Sequence, residues 1–362
     1  MATITFAKPT DLFWVTLKGR VDAYFATHQI PKTGDIRLYI KTVVFLASAV
    51  VTYTILMFYT PDTGWISALL CGLLGLSFVG MGFNIMHDAL HGSYSSKKWA
   101  NFLLGSVLLC MGASVVLWKK KHNTLHHTET NLDWDDDINF WPWMRVLAKD
   151  KLYWFHRFQH IYGPLLLYPL LYITWIYGFD LVKYFRGRIG NSETGKVKFT
   201  ISQHIGFWVT KVAYTYCFII LPGTTIGWIE TAIGYGIMSA MTGFTISIIF
   251  QLAHITESAT FPVADADQKL SKSFHQHQVE ETADFSTDNP IMSWFVGGLN
   301  YQVVHHLFPG VSHVHYPDIQ PIVKETCKEF NLPYIERPFG KAVASHIRKL
   351  KELGTPEKRL AA

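Results

Sequence analysis

The chain has 362 residues, 49% hydrophobic and only 16% charged, where soluble chains average roughly 25% charged. That deficit excludes an ordinary soluble enzyme and points to an integral membrane protein. The net charge is only +5 and the densest basic run is Lys119-Lys120-Lys121, which excludes nucleic acid as a partner.

In chain order, Lys8, Lys18, Arg20 and Asp22 interrupt the first 30 residues, which therefore do not read as a cleavable secretory signal. Leu12 to Val15 read as part of a short amphipathic helix on the membrane surface. Four stretches are long and apolar enough to span: about 39–59, 65–85, 205–223 and 228–253. Two more, 101–117 and 164–179, are apolar but short, and Pro164 and Pro169 interrupt the second. Lys and Arg number six up to Lys41, fourteen in 86–204 and eleven after 254, with none in the links 60–64 and 224–227. The positive-inside rule then places the N-terminus, the long middle segment and the C-terminus in the cytoplasm. One crossing by either short stretch would put charged segments on opposite sides. The expectation is therefore four spans, with 101–117 re-entrant or buried against the other helices and 164–179 lying in the interface; a hairpin in which both cross is the alternative, and it would place Lys119 to Lys121 and the second histidine cluster outside. Lys211, inside the third span, is expected to snorkel.

Towards the C-terminus, Ile319, Ile322, Val323, Cys327 and Phe330 recur at helical spacing, as do Val343, Ile347, Leu350 and Leu353. The fold class expected is all-α integral membrane: one domain over 1–362, its four helices capped on the cytoplasmic side by 86–204 and 254–362.

The four cysteines, Cys71, Cys110, Cys217 and Cys327, stand apart and suggest neither a disulfide framework nor a cysteine-ligated metal. The seventeen histidines are the anomaly. His87-Asp88-Ala89-Leu90-His91 begins where the second span ends, and its i, i+4 spacing puts both rings on one helix face. Asp88 is placed to accept the second N–H of one ring. His122-Asn123-Thr124-Leu125-His126-His127 repeats the spacing and adds a third ring. Gln302-Val303-Val304-His305-His306 places a Gln three and four residues before two histidines. His254 ends the fourth span at the depth of His87, and His277 in the following loop is a weaker addition. Neutral imidazoles suit iron, zinc or copper. Seven clustered histidines exceed the four ligands of one tetrahedral zinc and suit two metals. No HExxH pattern of a zinc protease occurs.

In their order and spacing, HDALH, HNTLHH and QVVHH resemble the histidine boxes of the membrane fatty-acid desaturases, and the likeness extends from about residue 10 to 340. The run Gly298-Leu299-Asn300-Tyr301-Gln302-Val303-Val304-His305-His306-Leu307-Phe308-Pro309 is similar to the front-end subgroup and its bacterial acyl-CoA and acyl-lipid relatives. The resemblance implies two irons held by His87, His91, His122, His126, His127, His305 and His306, with Gln302 near one metal and His254 completing the set. It implies O2 as co-substrate and a cis double bond as product. The acyl group would ride on CoA, a carrier protein or a lipid. No His-Pro-Gly-Gly motif of a fused cytochrome domain is seen. The resemblance therefore implies a separate electron donor, a ferredoxin or small cytochrome, and a bacterial cytoplasmic membrane. Lys119 to Lys121, Arg157, Lys97 and Lys98 would face the carrier's phosphates or simply mark the cytoplasmic face. Asp133, Asp135, Asp136 and Asp137 would orient ligand rings or form a solvated loop. His156, Gln159, His160, His313 and His315 lack box spacing and read as supporting residues. The competing readings are a di-iron lipid hydroxylase or ketolase and a zinc-dependent membrane lipid hydrolase.

Overall fold

The computed structural model describes residues 4–7, 11–132, 135–138, 140, 142–190, 193–265 and 269–356. Asp133 lies outside the described residues. Helix α1 (Leu12–His28) starts where Asp11 accepts the N–H of Trp14, and buries Phe13, Leu17, Val21 and Phe25 at i, i+4 spacing. These side chains pack on Ile319, Val323 and Cys327. Leu12 and Val15 stand exposed on the opposite face of the helix, so one face packs within the protein and the other is left free.

Among the described residues, five helices are long and apolar enough to cross a bilayer: α2 (Ile36–Phe58), α3 (Gly64–His91), α6 (Trp154–Arg186), α7 (Ile201–Thr225) and α8 (Trp228–His254). They make the chain an integral membrane protein. The expected four spans fall within α2, α3, α7 and α8. The fifth, α6, contains the 164–179 stretch that was expected to be too short. Its prolines do not end the helix: Pro164 lies in a π-turn at Gly163–Leu167, and Pro169 stands in the first turn of the α-helical segment that follows it, Tyr168–Thr174. Helix α6 meets α8 at Gly243, where a Cβ would lie 2.6 Å from the Tyr168 carbonyl oxygen, so only glycine allows the backbones to approach.

The 101–117 stretch belongs to a bent pair, α4 (Lys98–Cys110) and α5 (Val115–His126), with 113° between them. The pair leaves from just after His91 and returns so that His122 Nε2 lies 3.3 Å from His87 Nε2. Both of its ends therefore sit at one end of α3, as a re-entrant hairpin requires. Its tip is held from outside. Lys211 does not snorkel; it is buried, and its Nζ donates to the carbonyls of Gly112 and Ile176 (2.7 Å each) and to Asp180 Oδ2 (3.0 Å). Asp180 also accepts the N–H of Ser114. One buried ion pair thus ties α7, α6 and the hairpin tip together, with its remaining donors satisfied.

Five further helices stand at the histidine end of α3 and α8: α9 (Phe274–Glu280), α10 (Pro290–Phe295), α11 (Gln302–Leu307), α12 (Tyr316–Glu329) and α13 (Phe339–Leu353). Two short parallel strand pairs, Thr5–Phe6 with Lys269–Leu270 and Asp284–Phe285 with Glu336–Arg337, fasten the segments on either side of them.

Candidate metal centre

Three helix ends and one short helix converge. Helix α3 passes through a π-turn at Met81–Met86 and then presents His87 and His91, stopping at Gly92 in the left-handed region. Helix α5 ends in a second π-turn, Lys120–His126, in which the His127 N–H donates to the His122 carbonyl at 3.1 Å. The second cluster is therefore wound more loosely than the α-helix its spacing suggested. Helix α8 delivers His254, and α11 delivers Gln302, His305 and His306.

The ring nitrogens form overlapping groups whose ligand atoms all lie within 4.8 Å of one another. One holds His87, His91, His122 and His305; another holds His126, His254 and His306; a third, His127, His305 and His306, lies between them. The His127 ring centroid is 4.6 Å from that of His305 and 4.5 Å from that of His306. Gln302 Nε2 lies 3.0 Å from His254 Nε2 and 3.3 Å from His306 Nε2. All the expected site residues except His277 meet here. His277 donates its Nε2–H to the Thr130 carbonyl at 3.0 Å and stands outside every group.

The outer nitrogens are held from behind. His122 Nδ1 donates to Asp137 (3.1 Å), His126 Nδ1 to Asp135 (2.9 Å) and His306 Nδ1 to Gln278 Oε1 (2.7 Å), while His305 Nδ1 lies 3.1 Å from the Tyr316 hydroxyl. Such bonds fix the tautomer and turn Nε2 inward as a lone pair. Of the aspartates after the second cluster, Asp135 and Asp137 hold rings, whereas Asp136 pairs with Lys183. Asp88 does less for its neighbour than expected: it stands 4.0 Å from His87 Nδ1 and accepts from the Ser312 hydroxyl and the His313 N–H instead. Gln278 and Tyr316 escaped sequence reasoning, since neither shares a spacing with a box. His156 and His315 bond to backbone carbonyls away from the cluster.

Burial gives the fit test. His91 Nε2, His126 Nε2, both nitrogens of His127, His254 Nδ1 and His305 Nε2 have no hydrogen-bond partner although shielded from water. Orphaned polar atoms are costly, and their concentration in one histidine cluster fits a site able to hold metal. Burial, then crowding by neighbouring rings, pushes His127, His305 and His306 well below the usual histidine range, keeping them neutral and able to ligate. Burial opposes ionisation of Asp137, but Lys121 and the His122 ring hold it well below the usual carboxylate range. A cavity of about 810 Å³ reaches this cluster. His87 and His122 form part of its wall, Met86, Met111, Leu171 and Phe250 are apolar lining, and Lys183 and Arg186 line its polar side.

The fatty acid desaturase family model matches residues 63–338. The chain belongs to the fatty acid desaturase family. Among its relatives, the sn-1 linoleoyl-lipid 6-desaturase of Arthrospira platensis is 36% identical over 97% of this chain and 94% of its own length. The acyl-lipid (8-3)-desaturase of Physcomitrium patens is 34% identical over 99% of this chain and 75% of its own length. The sn-1 linoleoyl-lipid 6-desaturase of Synechocystis sp. is 33% identical over 93% of this chain and 94% of its own length. The protein is thus a fatty-acyl desaturase, an oxidoreductase whose histidine cluster is able to hold metal. In this desaturase the cavity beside His87 and His122 has the size and apolar wall that an acyl chain requires.

Proposed function

We propose that the desaturase holds two irons, one within reach of His87, His91, His122 and His305, the other of His126, His254 and His306, with His127 between them and Gln302 beside the second. The unpartnered inward nitrogens carry this reading. When bound, the irons supply the O2-derived oxidising power that an unactivated methylene demands and no side-chain acid or base provides. The chain's own residues do the rest. Asp135, Asp137 and Gln278 orient the rings. The apolar wall made by Met86, Met111 and Phe250 excludes water and holds one pair of carbons against His87 and His122.

The substrate proposed is an acyl-lipid, by analogy with the named relatives, and the product carries a cis double bond. Arg186, on the polar side of the cavity, suits an anionic headgroup, whereas Lys183 there is paired with Asp136. A ferredoxin or small cytochrome is the proposed electron donor; the four cysteines are free and offer no iron–sulfur site of the chain's own.

Four crossings are proposed, by α2, α3, α7 and α8, with the histidine end cytoplasmic in a bacterial membrane. Helix α6 is the exception because both its ends touch that side. Gln159 donates to the Leu350 carbonyl of α13, and Lys183 pairs with Asp136, next to the aspartate that holds His122.

Expression in a host lacking the activity, followed by mass analysis of its lipids, tests the reading. Loss of two hydrogens is expected; gain of one oxygen would instead indicate a hydroxylase.

A further inference from the structure

His126, His254 and His306 reach their common position from α5, α8 and α11, which are remote from one another in sequence. One turn just beyond the second histidine cluster, Thr130-Asn131, bonds to all three or to the groups that hold them. Asn131 is buried and has φ +57, a left-handed conformation that asparagine tolerates better than most side chains. Its N–H donates at 3.1 Å to Asp135 Oδ2, the same oxygen that accepts from His126 Nδ1. Its Nδ2 donates to the His254 carbonyl at 3.1 Å and to the Glu281 carbonyl at 3.2 Å, with the Thr260 carbonyl and Glu281 Oε2 next, at 3.4 Å each. With only acceptors around that nitrogen, the amide has one workable orientation.

Thr130 supplies the third connection. Its hydroxyl stands 2.7 Å from the His126 carbonyl and 2.9 Å from Gln278 Oε1, the atom that accepts from His306 Nδ1. The bond to His254 matters most, because its Nδ1 has no hydrogen-bond partner, whereas His122 and His126 each have a carboxylate behind the ring. Its carbonyl lies in the last turn of α8, where carbonyls lack a partner within the helix, and Asn131 fills that need. The other ligand set stands on separate supports: Asp137 holds His122 and the Tyr316 hydroxyl faces His305. Among the described residues, no hydrogen bond of Thr130 or Asn131 reaches His87, His91, His122 or His305.

We infer that Thr130 and Asn131 are positioning residues for one metal of the pair: they lock His126, His254 and His306 into a single ligand set, so that loosening this turn releases that iron and leaves the one at His87, His91, His122 and His305. This rests on the di-iron reading above.

The test withdraws iron from the purified full-length enzyme with increasing chelator and follows iron content together with the electron paramagnetic resonance of ferric iron. Asn131→Gly keeps the left-handed backbone and the N–H to Asp135 but loses the Nδ2 bonds. One iron of the pair is expected to leave about 10–100-fold more readily than in the wild type, the scale of a lost supporting bond, while the other holds as before. The enzyme then passes through a form with one iron, whose lone ferric ion gives a resonance signal that a coupled ferric pair does not. Thr130→Val, which keeps the shape of the side chain and removes the hydroxyl, shifts the same iron. Thr130→Ser, which keeps the hydroxyl, retains the wild-type pattern. A turn that merely supports the fold would weaken both irons together or neither. Should Asn131→Gly fail to accumulate, Thr130→Val decides. An equal change in both irons, or no change, in whichever variants accumulate overturns the selective role and leaves the di-iron reading intact. A wild type that retains no iron overturns both.

Discussion

Asp135 and Asp137 illustrate how much of a metal centre lies behind its ligands. Each accepts from the outer nitrogen of a ring in the second cluster, so its carboxylate keeps the inner nitrogen turned into the histidine cluster, where the proposed iron would sit. Asp135→Asn or Asp137→Asn is expected to weaken iron binding by about 10–100-fold, measured by competition with a chelator; unaltered retention of iron would refute the positioning role. His254→Ala is expected to lower iron content, whereas His277→Gln keeps it, because His277 spends its Nε2–H on a backbone carbonyl outside the cluster. Metal analysis of the two variants side by side separates them. His277 and His346 also give the fold a pH dependence. Burial pushes each down to about 4, while an unfolded histidine takes up its proton near about 6.5. Each therefore contributes its full stability above about pH 6.5 and loses it progressively as pH falls towards about 4. Thermal unfolding in detergent should show a falling midpoint across that window, and a flat profile would contradict the buried neutral rings.

At the scale of elements, the helices that carry the boxes were legible because apolar length and i, i+4 histidines are local signals. The expected spans over 65–85, 205–223 and 228–253 fall inside α3, α7 and α8, and that over 39–59 runs one residue past the end of α2. What the sequence hid is local geometry set by tertiary partners. Pro164 and Pro169 read as interruptions, yet α6 runs on through both, Pro164 within a π-turn and Pro169 in the first turn of the segment after it. Lys211 read as a snorkelling side chain because its acceptors, the carbonyls of Gly112 and Ile176 and the carboxylate of Asp180, are remote in sequence. Gln278 and Tyr316 belong to no motif; only folding brings them to His306 and His305. Asp88, adjacent to His87, was the obvious partner by sequence, but α3 turns it towards Ser312. The α6–α8 crossing gives a prediction at this scale. Gly243→Leu would force a side chain into the Tyr168 and Pro169 carbonyls, at 2.6 and 2.8 Å from the Cβ. It should destabilise the protein by about 2 kcal/mol or more, read as a lower unfolding temperature in detergent; an unchanged midpoint would show that the helices separate freely.

For the whole molecule, the histidine boxes are useful only if their helix ends meet at one membrane face. The Lys and Arg distribution alone implies this, and the contact of His87 with His122 requires the hairpin to return to its starting face. Single cysteines introduced at Lys97, Lys149 and Lys196, with the native cysteines replaced, should label from the cytoplasmic side, and one at Asp62 from the other. Opposite labelling of 149 and 196 would make α6 a crossing and overturn the four-span arrangement. The central claim is that this one face holds two irons. Metal analysis of the purified protein, made alongside activity with and without O2 and a reductant, tests it most directly. About two irons per chain are expected, with no product when O2 or reductant is withheld; a single zinc and O2-independent turnover would contradict a di-iron desaturase.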